Sequence, residues 1–565
     1  MVSYLKTRTT PRGVSPSIPT EKMYSMRRHS EFGSSPLHSC RHPSGKHNTV
    51  MTKSLRPLRL RVRNELGQMR TLMSGPKQYL RQDAGSGPYL CLGLGPNPTD
   101  MCTRLVHDDG LSTPKPKVYY IESEDTLSQW TPSQRAQFMA AIPGDWTRIK
   151  PDQITQHHFG RVYAYQHGMS LFPSFWGPLW ANLLFPVPTG HITEQSIALV
   201  GDAKGLLVQE IHTALHALGL NVHRINPEIT HEDLNDLLAN ARPRLFLSVN
   251  FQGFDDHGLL FERLTAANIP CATWCVDNPF HLISRLKAPY WKRLHLFITD
   301  SWFLAPLKAH GAEQVYHLPL AVDPSIFHPG HAAPQPSLTA PLFVGRSAFP
   351  GKDAFFAGCR VPDNILRHAE DMIRHGTRPD FDWWMSTLGQ SSLWPGKTVR
   401  TLGFAAETAS LSLRTAVLSN VSKHCGLTVI GDEGWHDRLP HGTDLRPPVD
   451  YYGALSSFYE HAPITLNLTS LLLPHGLTQR HFDVFASGGL LVTDNTPGLS
   501  LFPKDLTHPI TFSSPDQAPT TIQRLLAKPS LCTTLREDWK TLLFRDHTYT
   551  KRLQTLFDTM SIIFS

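Results

Sequence analysis

Cysteine is scarce and unpaired in this sequence: eight residues in 565, with no C-x-x-C pair and with Cys271 and Cys275 the nearest neighbours. Such spacing supports neither a zinc site nor a disulfide framework. The thirty histidines show no pair with ligand spacing, and the adjacent His157 and His158 would point apart on either a helix or a strand, so no metal is expected. Long apolar runs are missing as well. The first 30 residues hold no continuous apolar stretch, which argues against a secretory signal and for a cytoplasmic protein. The most apolar segment, residues 169–187, is uncharged but carries Pro173, Pro178 and Pro186. Three prolines argue against a membrane-spanning helix, so no integral membrane segment is expected and the segment reads as a buried aromatic loop.

Acid is scarce at one end only. Residues 1–63 hold thirteen Lys/Arg against two Glu, a net of +11, whereas the whole chain carries +7 and the remainder is therefore near −4. The charge belongs to an arm and not to a nucleic-acid-binding surface, so no nucleic-acid partner is expected. With Ser, Pro and His in place of apolar periodicity, residues 1–80 read as a disordered basic arm. An extension upstream of the true start, an organelle transit peptide and a tether to RNA or membrane all fit that composition.

What is present is α/β alternation on a scale of several domains, since 565 residues exceed what one core holds. Residues 85–190 read as a small accessory α/β domain. There "YLCLGLG" and "KVYYIES" are strands, and Glu122 follows Gly95 by 27 residues. The spacing resembles the nucleotide-binding half of a Rossmann unit, including that of S-adenosylmethionine-dependent methyltransferases. Against cofactor binding, Pro96 and Pro98 follow the glycines where a phosphate-cradling turn needs free N–H groups. A structural role is the favoured reading.

From Ser196 the alternation is regular. "SIALVGD", "RLFLSVN", "CATWCVD", "LHLFITD" and "QVYHLPL" are strands separated by helical stretches, making residues 195–330 one doubly wound lobe. Its strand ends carry Asp202, Asn250, Gln252, Asp277, Asn278, Asp300 and Ser301, on the rim where ligands of such sheets lie. The proline-rich residues 328–341 form a linker. Residues 341–530 repeat the architecture, and residues 531–565 are helices that pack back on the first lobe. The expected fold class is α/β: two doubly wound Rossmann-like domains facing a cleft, plus the small N-terminal accessory domain.

The densest chemistry lies in residues 475–503, "HGLTQRHFDVFASGGLLVTDNTPGLSLFP". Next to His475, Gly476 precedes a helix read as starting at Thr478, whose first turn suits a diphosphate. Arg480 adds a cation there, although a solvated surface Arg is the plain alternative. Asp483 either pairs with Arg480 or accepts from ribose or sugar hydroxyls. Gly488 and Gly489 permit close approach of a ligand or tight helix–sheet packing, and Asp494 closes the next strand. Upstream, Gly345 and Arg346 form a second cationic turn, with Lys352 behind them. Asp277 is the leading candidate for a base, ahead of Asp202 and Asp300, and a loop-capping carboxylate is the plain alternative for each. Residues 380–382, "DFD", match an acid-x-acid metal pattern but precede Trp383 and Trp384 and read as chance.

The Arg480, Phe482, Asp483, Ala486, Gly488 and Gly489 pattern resembles the C-terminal domain of CgeB-like glycosyltransferases, a group similar to the GT-B superfamily. "HTYTKRL" at residues 547–553, "LPLAVDPSIFHP" at 318–329, "WCVDNPF" and "LFITDSW" extend the resemblance over about residues 195–560. It implies a GT-B fold and a nucleoside-diphosphate-sugar donor in the C-terminal lobe. It also implies a protein or glycan acceptor on the N-terminal lobe, with no obligatory metal and no cofactor. The group's usual Glu is Asp483 here, and the second acid of an E-x7-E pattern would fall on Leu491, so inverting and retaining stereochemistry both stay open. The competing readings are a degenerate two-lobed scaffold and a methyltransferase in residues 85–190.

Overall fold

Central strands in the two regular series are buried along their whole length. Cys271–Cys275, Thr428–Ile430 and Leu491–Asp494 have no exposed position, as parallel strands covered on both faces require. The computed structural model describes residues 60–109, 116–185, 192–202, 205–330, 337–394 and 396–564. The arm up to residue 59 and the centre of the linker, 331–336, lie outside the described residues.

The first lobe is a six-stranded sheet in the order Asn221–Ile225, Ile192–Val200, Arg242–Val249, Cys271–Cys275, His295–Ile298, Gln314–His317. The second is also six-stranded, in the order Asp444–Arg446, Thr428–Ile430, Leu342–Val344, Thr465–Asn467, Leu491–Asp494, Thr511–Phe512. Every pairing in both is parallel. In chain order these are 2-1-3-4-5-6 and 3-2-1-4-5-6, and right-handed crossovers about the reversal put helices on both faces of each sheet. The two sheets are Rossmann-like, and each has one switch point.

A third, five-stranded sheet lies in the order Tyr79–Asp83, Arg161–Tyr165, Tyr89–Leu92, Val118–Ile121, Thr147–Arg148, with only the first strand antiparallel. Residues 60–80, expected within the disordered arm, are part of this unit. Arg61–Arg63 pairs with Met69–Thr71, and Leu60, Val62 and Leu72 are buried. At the glycine turn, a Cβ on Gly93 would meet Tyr165 at 3.2 Å and Trp176 at 3.5 Å, and one on Gly95 would meet Tyr165 at 3.0 Å. Aromatic rings thus fill the space beside the turn. The Glu122 carboxylate accepts the Leu94 N–H, and desolvation lifts its pKa to about 7.

Residues 169–185, expected to be a loop, form the helices Gly168–Leu171 and Pro173–Leu183. Pro173 stands in the first turn, where its missing N–H leaves no bond unmade, and Pro178 is tolerated inside a helix held by packing. This helix lies against Leu259–Ala266 of the first lobe, where the Arg263 guanidinium covers the Phe185 ring at 5.3 Å. Among the described residues no helix is long and apolar enough to cross a membrane.

The lobes meet along a seam. Asn278 Nδ2 donates to Leu472 O at 3.0 Å, Trp394 Nε1 to Ile283 O at 3.5 Å, and His475 N–H to Asp300 Oδ2 at 3.1 Å. Helix Pro529–Asp546 stays on the second lobe, where Trp539 stacks on Phe485 at 4.5 Å. The chain then crosses back. Val322 N–H bonds to His547 O and Tyr549 N–H to Val322 O, and helix Tyr549–Thr559 packs on Val208–Ala217 of the first lobe. Arg552 Nε donates to Pro319 O at 3.0 Å, and its NH2 meets His547 Nδ1 at 2.7 Å. The residues of "HTYTKRL" thus form a second strap between the lobes.

Candidate functional site

Both switch points open onto one cavity of about 350 Å³ between the lobes, within the range of small-ligand sites. The second lobe supplies Gly345 and Arg346 after strand Leu342–Val344, and Leu468 to Ser470 after the neighbouring Thr465–Asn467. The first lobe supplies Asn250 after strand Arg242–Val249, with Asp277 and Asn278 beyond Cys271–Cys275. The parallel order forces this convergence, because it gathers the carboxyl ends of all strands on one rim.

Three arginines, Arg346, Arg414 and Arg480, line the cavity. Arg346 is exposed, while its carbonyl oxygen accepts Arg414 NH1 at 2.9 Å. Arg414 extends from the 29-residue helix Lys397–Cys425, and its NH2 reaches the buried Glu407 at 3.1 Å. Lys352 lies 3.8 Å from the same carboxylate, and burial lowers its pKa. Arg480 Nε donates to Asn467 Oδ1 at 2.8 Å, and Thr478 Oγ1 donates to the same oxygen at 2.9 Å. One fully buried amide thereby orients two side chains of the cavity wall. With Asp277 and Glu407 as the carboxylates, the wall keeps a surplus of one positive charge.

The structure places Asn250, Asp277, Asn278, Gly345, Arg346, Thr478 and Arg480 on this wall, whereas the other residues expected at the donor site lie elsewhere. Asp483 is 1% exposed and accepts from Tyr451 OH at 2.8 Å; burial holds its carboxyl well above the usual range. It neither pairs with Arg480 nor faces the cavity, because the helix runs only Arg480–Ala486 and turns that position into the core. The helix also starts two residues later than expected, so Gly476 does not adjoin it; a Cβ there would meet Leu473 at 2.6 Å. His475 is an interlobe residue, with Nδ1 3.2 Å from Ser301 Oγ.

Gly488 and Gly489 serve packing. Gly488 has φ 81 and a Cβ there would lie 3.3 Å from Pro329, while a Cβ on Gly489 would strike Tyr459 O. Asp494 is buried behind the wall. Its Oδ1 accepts Thr469 N–H at 2.9 Å and Thr469 Oγ1 at 2.7 Å, and its other oxygen pairs with Arg378, so it shapes the loop without touching the cavity. Asp300 caps Trp302 and His475 N–H groups. In "DFD", Asp380 caps the helix Phe381–Thr387 through Trp383 N–H at 2.9 Å. Among the described residues no group of three or more His, Cys, Asp or Glu side chains is placed to hold a metal.

Arg414, Glu407, Asn467 and Tyr451 were missed by sequence reasoning. A signal for the first two existed: Glu407 and Arg414 are seven apart in a helix whose Ala406, Ala409, Leu413 and Val417 are apolar, so a charge pair repeats on a buried face. Asn467 and Tyr451 carried no such mark.

Fold and site together define a two-lobed α/β protein of two Rossmann-like domains, with an arginine-lined cavity at facing switch points. Residues 412–558, which include Arg414, Arg480 and the terminal strap, match the family model described as glycosyl transferase-like. A search of curated proteins finds no match. Similar solved structures include T4 phage BGT in complex with UDP and Mn2+, at 10% identity and TM-score 0.36, covering 65% of this chain and 99% of that one. Anabaena HepE in complex with UDP-glucose has 10% identity and TM-score 0.38 over 65% of this chain and 100% of that one. AviGT4, a glycosyltransferase involved in avilamycin A biosynthesis, has 13% identity and TM-score 0.37 over 65% and 98%.

Proposed function

We propose that the protein is a glycosyltransferase that moves a sugar from a nucleoside-diphosphate-sugar to a hydroxyl of a protein or glycan acceptor. The observation that carries this reading is the convergence of Arg346, Arg414 and Arg480 on one cavity at the switch point of the second lobe, inside or beside a segment that is glycosyl transferase-like. Three guanidiniums suit a diphosphate, since each offers paired N–H donors and a charge that persists at any working pH. They are in place before reaction, so they stabilise charge as it grows on the leaving diphosphate. We read the transfer as metal-independent on that ground. Asp277, across the cavity, takes the acceptor proton. The 480–489 pattern and the strap at residues 547–553 support placement among the CgeB-like group.

Melting of the full chain, measured against UDP, GDP, dTDP and their sugars, tests the proposal. One nucleotide is expected to raise the Tm, and Arg414→Ala and Arg480→Ala to abolish the rise. A folded chain that responds to none of them, and releases diphosphate from none of the sugars, refutes the transferase reading and leaves a two-lobed scaffold.

A further inference from the structure

Strand Arg242–Val249 enters the cavity through an uncommon turn. Asn250 has φ 55 and Phe251 φ 59, two consecutive non-glycine residues in the left-handed region, which Asn visits readily but a bulky Phe seldom does. The surroundings hold the turn in place. Asn250 N–H bonds to Trp274 O at 3.0 Å, Phe251 N–H to Thr273 Oγ1 at 3.0 Å, Ser248 Oγ to Gln252 O at 2.7 Å, and Arg285 to Phe251 O at 2.7 Å.

Asn250 is 1% exposed and lines the cavity beside Asp277. Its Oδ1 accepts Val276 N–H at 2.9 Å and Asp277 N–H at 3.3 Å, while its Nδ2 donates to Asp277 Oδ2 at 3.0 Å. This pattern sets the amide orientation, because a flipped group would face two N–H donors with its own NH2 and a carboxylate with its oxygen. Asp277 is thus gripped through its backbone and its carboxylate by one rigid, buried group.

We propose that Asn250 is a positioning residue for the transfer: it holds the Asp277 carboxylate at the angle from which it takes the acceptor proton. The inference rests on the reading of Asp277 as base. In the step, the acceptor O–H proton moves to Asp277 and the acceptor oxygen bonds to the anomeric carbon. The bond from that carbon to the diphosphate breaks, with its electron pair leaving on the phosphate oxygen. A carboxylate free to rotate would meet the acceptor less often in a reactive geometry, and misplacement of about 1 Å is enough for a hundredfold loss.

Backbone tolerance alone would also place Asn at a left-handed position, and the two roles separate experimentally. Asn250→Gly relaxes the backbone but removes the amide. Asn250→Asp keeps the shape but sets a carboxylate against Asp277. Hydrolysis, with water in the acceptor's place, is measured for both variants as release of UDP from UDP-glucose, or of the nucleoside diphosphate from whichever UDP-, GDP- or dTDP-sugar the full chain turns over, with Tm as a check on folding. Both are expected to lower kcat about ten- to a hundredfold and leave the donor KM within about twofold.

A wild-type kcat in Asn250→Gly, or a change confined to KM, overturns the positioning role. Asp277→Asn is run in parallel and is expected to lose at least about a hundredfold in kcat. If Asp277→Asn keeps full activity, the base assignment falls and the inference with it. If the wild-type chain turns over no donor, the transferase reading itself falls.

Discussion

Glu407 and Arg414 stand two turns apart on the helix Lys397–Cys425 and pair at 3.1 Å, the carboxylate buried and the guanidinium turned toward the cavity and Arg346. Arg414→Ala removes a charge-assisted donor worth about 1.5–3 kcal/mol. Calorimetric titration with the nucleotide that raises the Tm is expected to show affinity down by about ten- to a hundredfold. Glu407→Gln strips the anion shared by Arg414 and Lys352 and is expected to lower stability by about 3 kcal/mol or more in denaturant unfolding.

Gly403 faces His281 across the lobe seam so closely that an added Cβ would overlap the imidazole Nε2. Gly403→Ala is expected to hold the lobes apart, raise the radius of gyration in small-angle scattering and lower kcat. His281→Ala in the same chain removes the obstruction and is expected to restore both. An unchanged radius in Gly403→Ala would show that the seam yields elsewhere.

Asp483 is committed to Tyr451 inside the second lobe. Asp483→Asn keeps an acceptor oxygen for that phenol and is expected to bind the nucleotide sugar with affinity within about threefold of the parent. A loss beyond tenfold in the same titration would return this residue to the donor site.

Glu210 and Asp300 are buried carboxyls whose pKa desolvation raises to about 7. In the unfolded chain such groups ionise near pH 4. Between about pH 4 and 7 the unfolded state therefore sheds protons that the folded state keeps, so their contribution to stability falls as pH rises through that window and levels off above it. Glu210→Gln, a neutral stand-in that can still accept from Tyr452 OH, is expected to flatten this part of the Tm profile between pH 5 and 7.5. A parallel shift at every pH would contradict the assignment.

The course of the fold was readable in sequence where local pattern and burial agree. "CATWCVD" and "GLLVTD" are runs that only a doubly covered parallel strand accommodates, and they are strands here. Residues 169–185 misled because proline at a helix's first turn and proline as a breaker look alike without the neighbouring helix Leu259–Ala266. Residues 60–80 misled because three-residue strands are too short for periodicity to register.

Within the site, the turn "VGR" and the residues Thr478, Arg480 and Asp277 were legible because strand ends are where chain-local reasoning and the ligand rim coincide. Asp483, Gly488, Gly489 and Asp494 carry the same residue types in the same segment yet serve the core. A one-residue difference in helix phase turns a side chain by about 100 degrees, and that phase is set by packing.

Sequence by itself determined two parallel α/β lobes and the polar residues at their strand ends, because strand period and strand-end polarity are local properties. Tertiary structure alone decided which charges meet. Arg414 reaches Arg346 across 68 residues, Asn467 reaches Arg480 across 13, and Asn250 reaches Asp277 across 27. Those distances are closed by strand order and helix phase, which emerge only when the whole core packs.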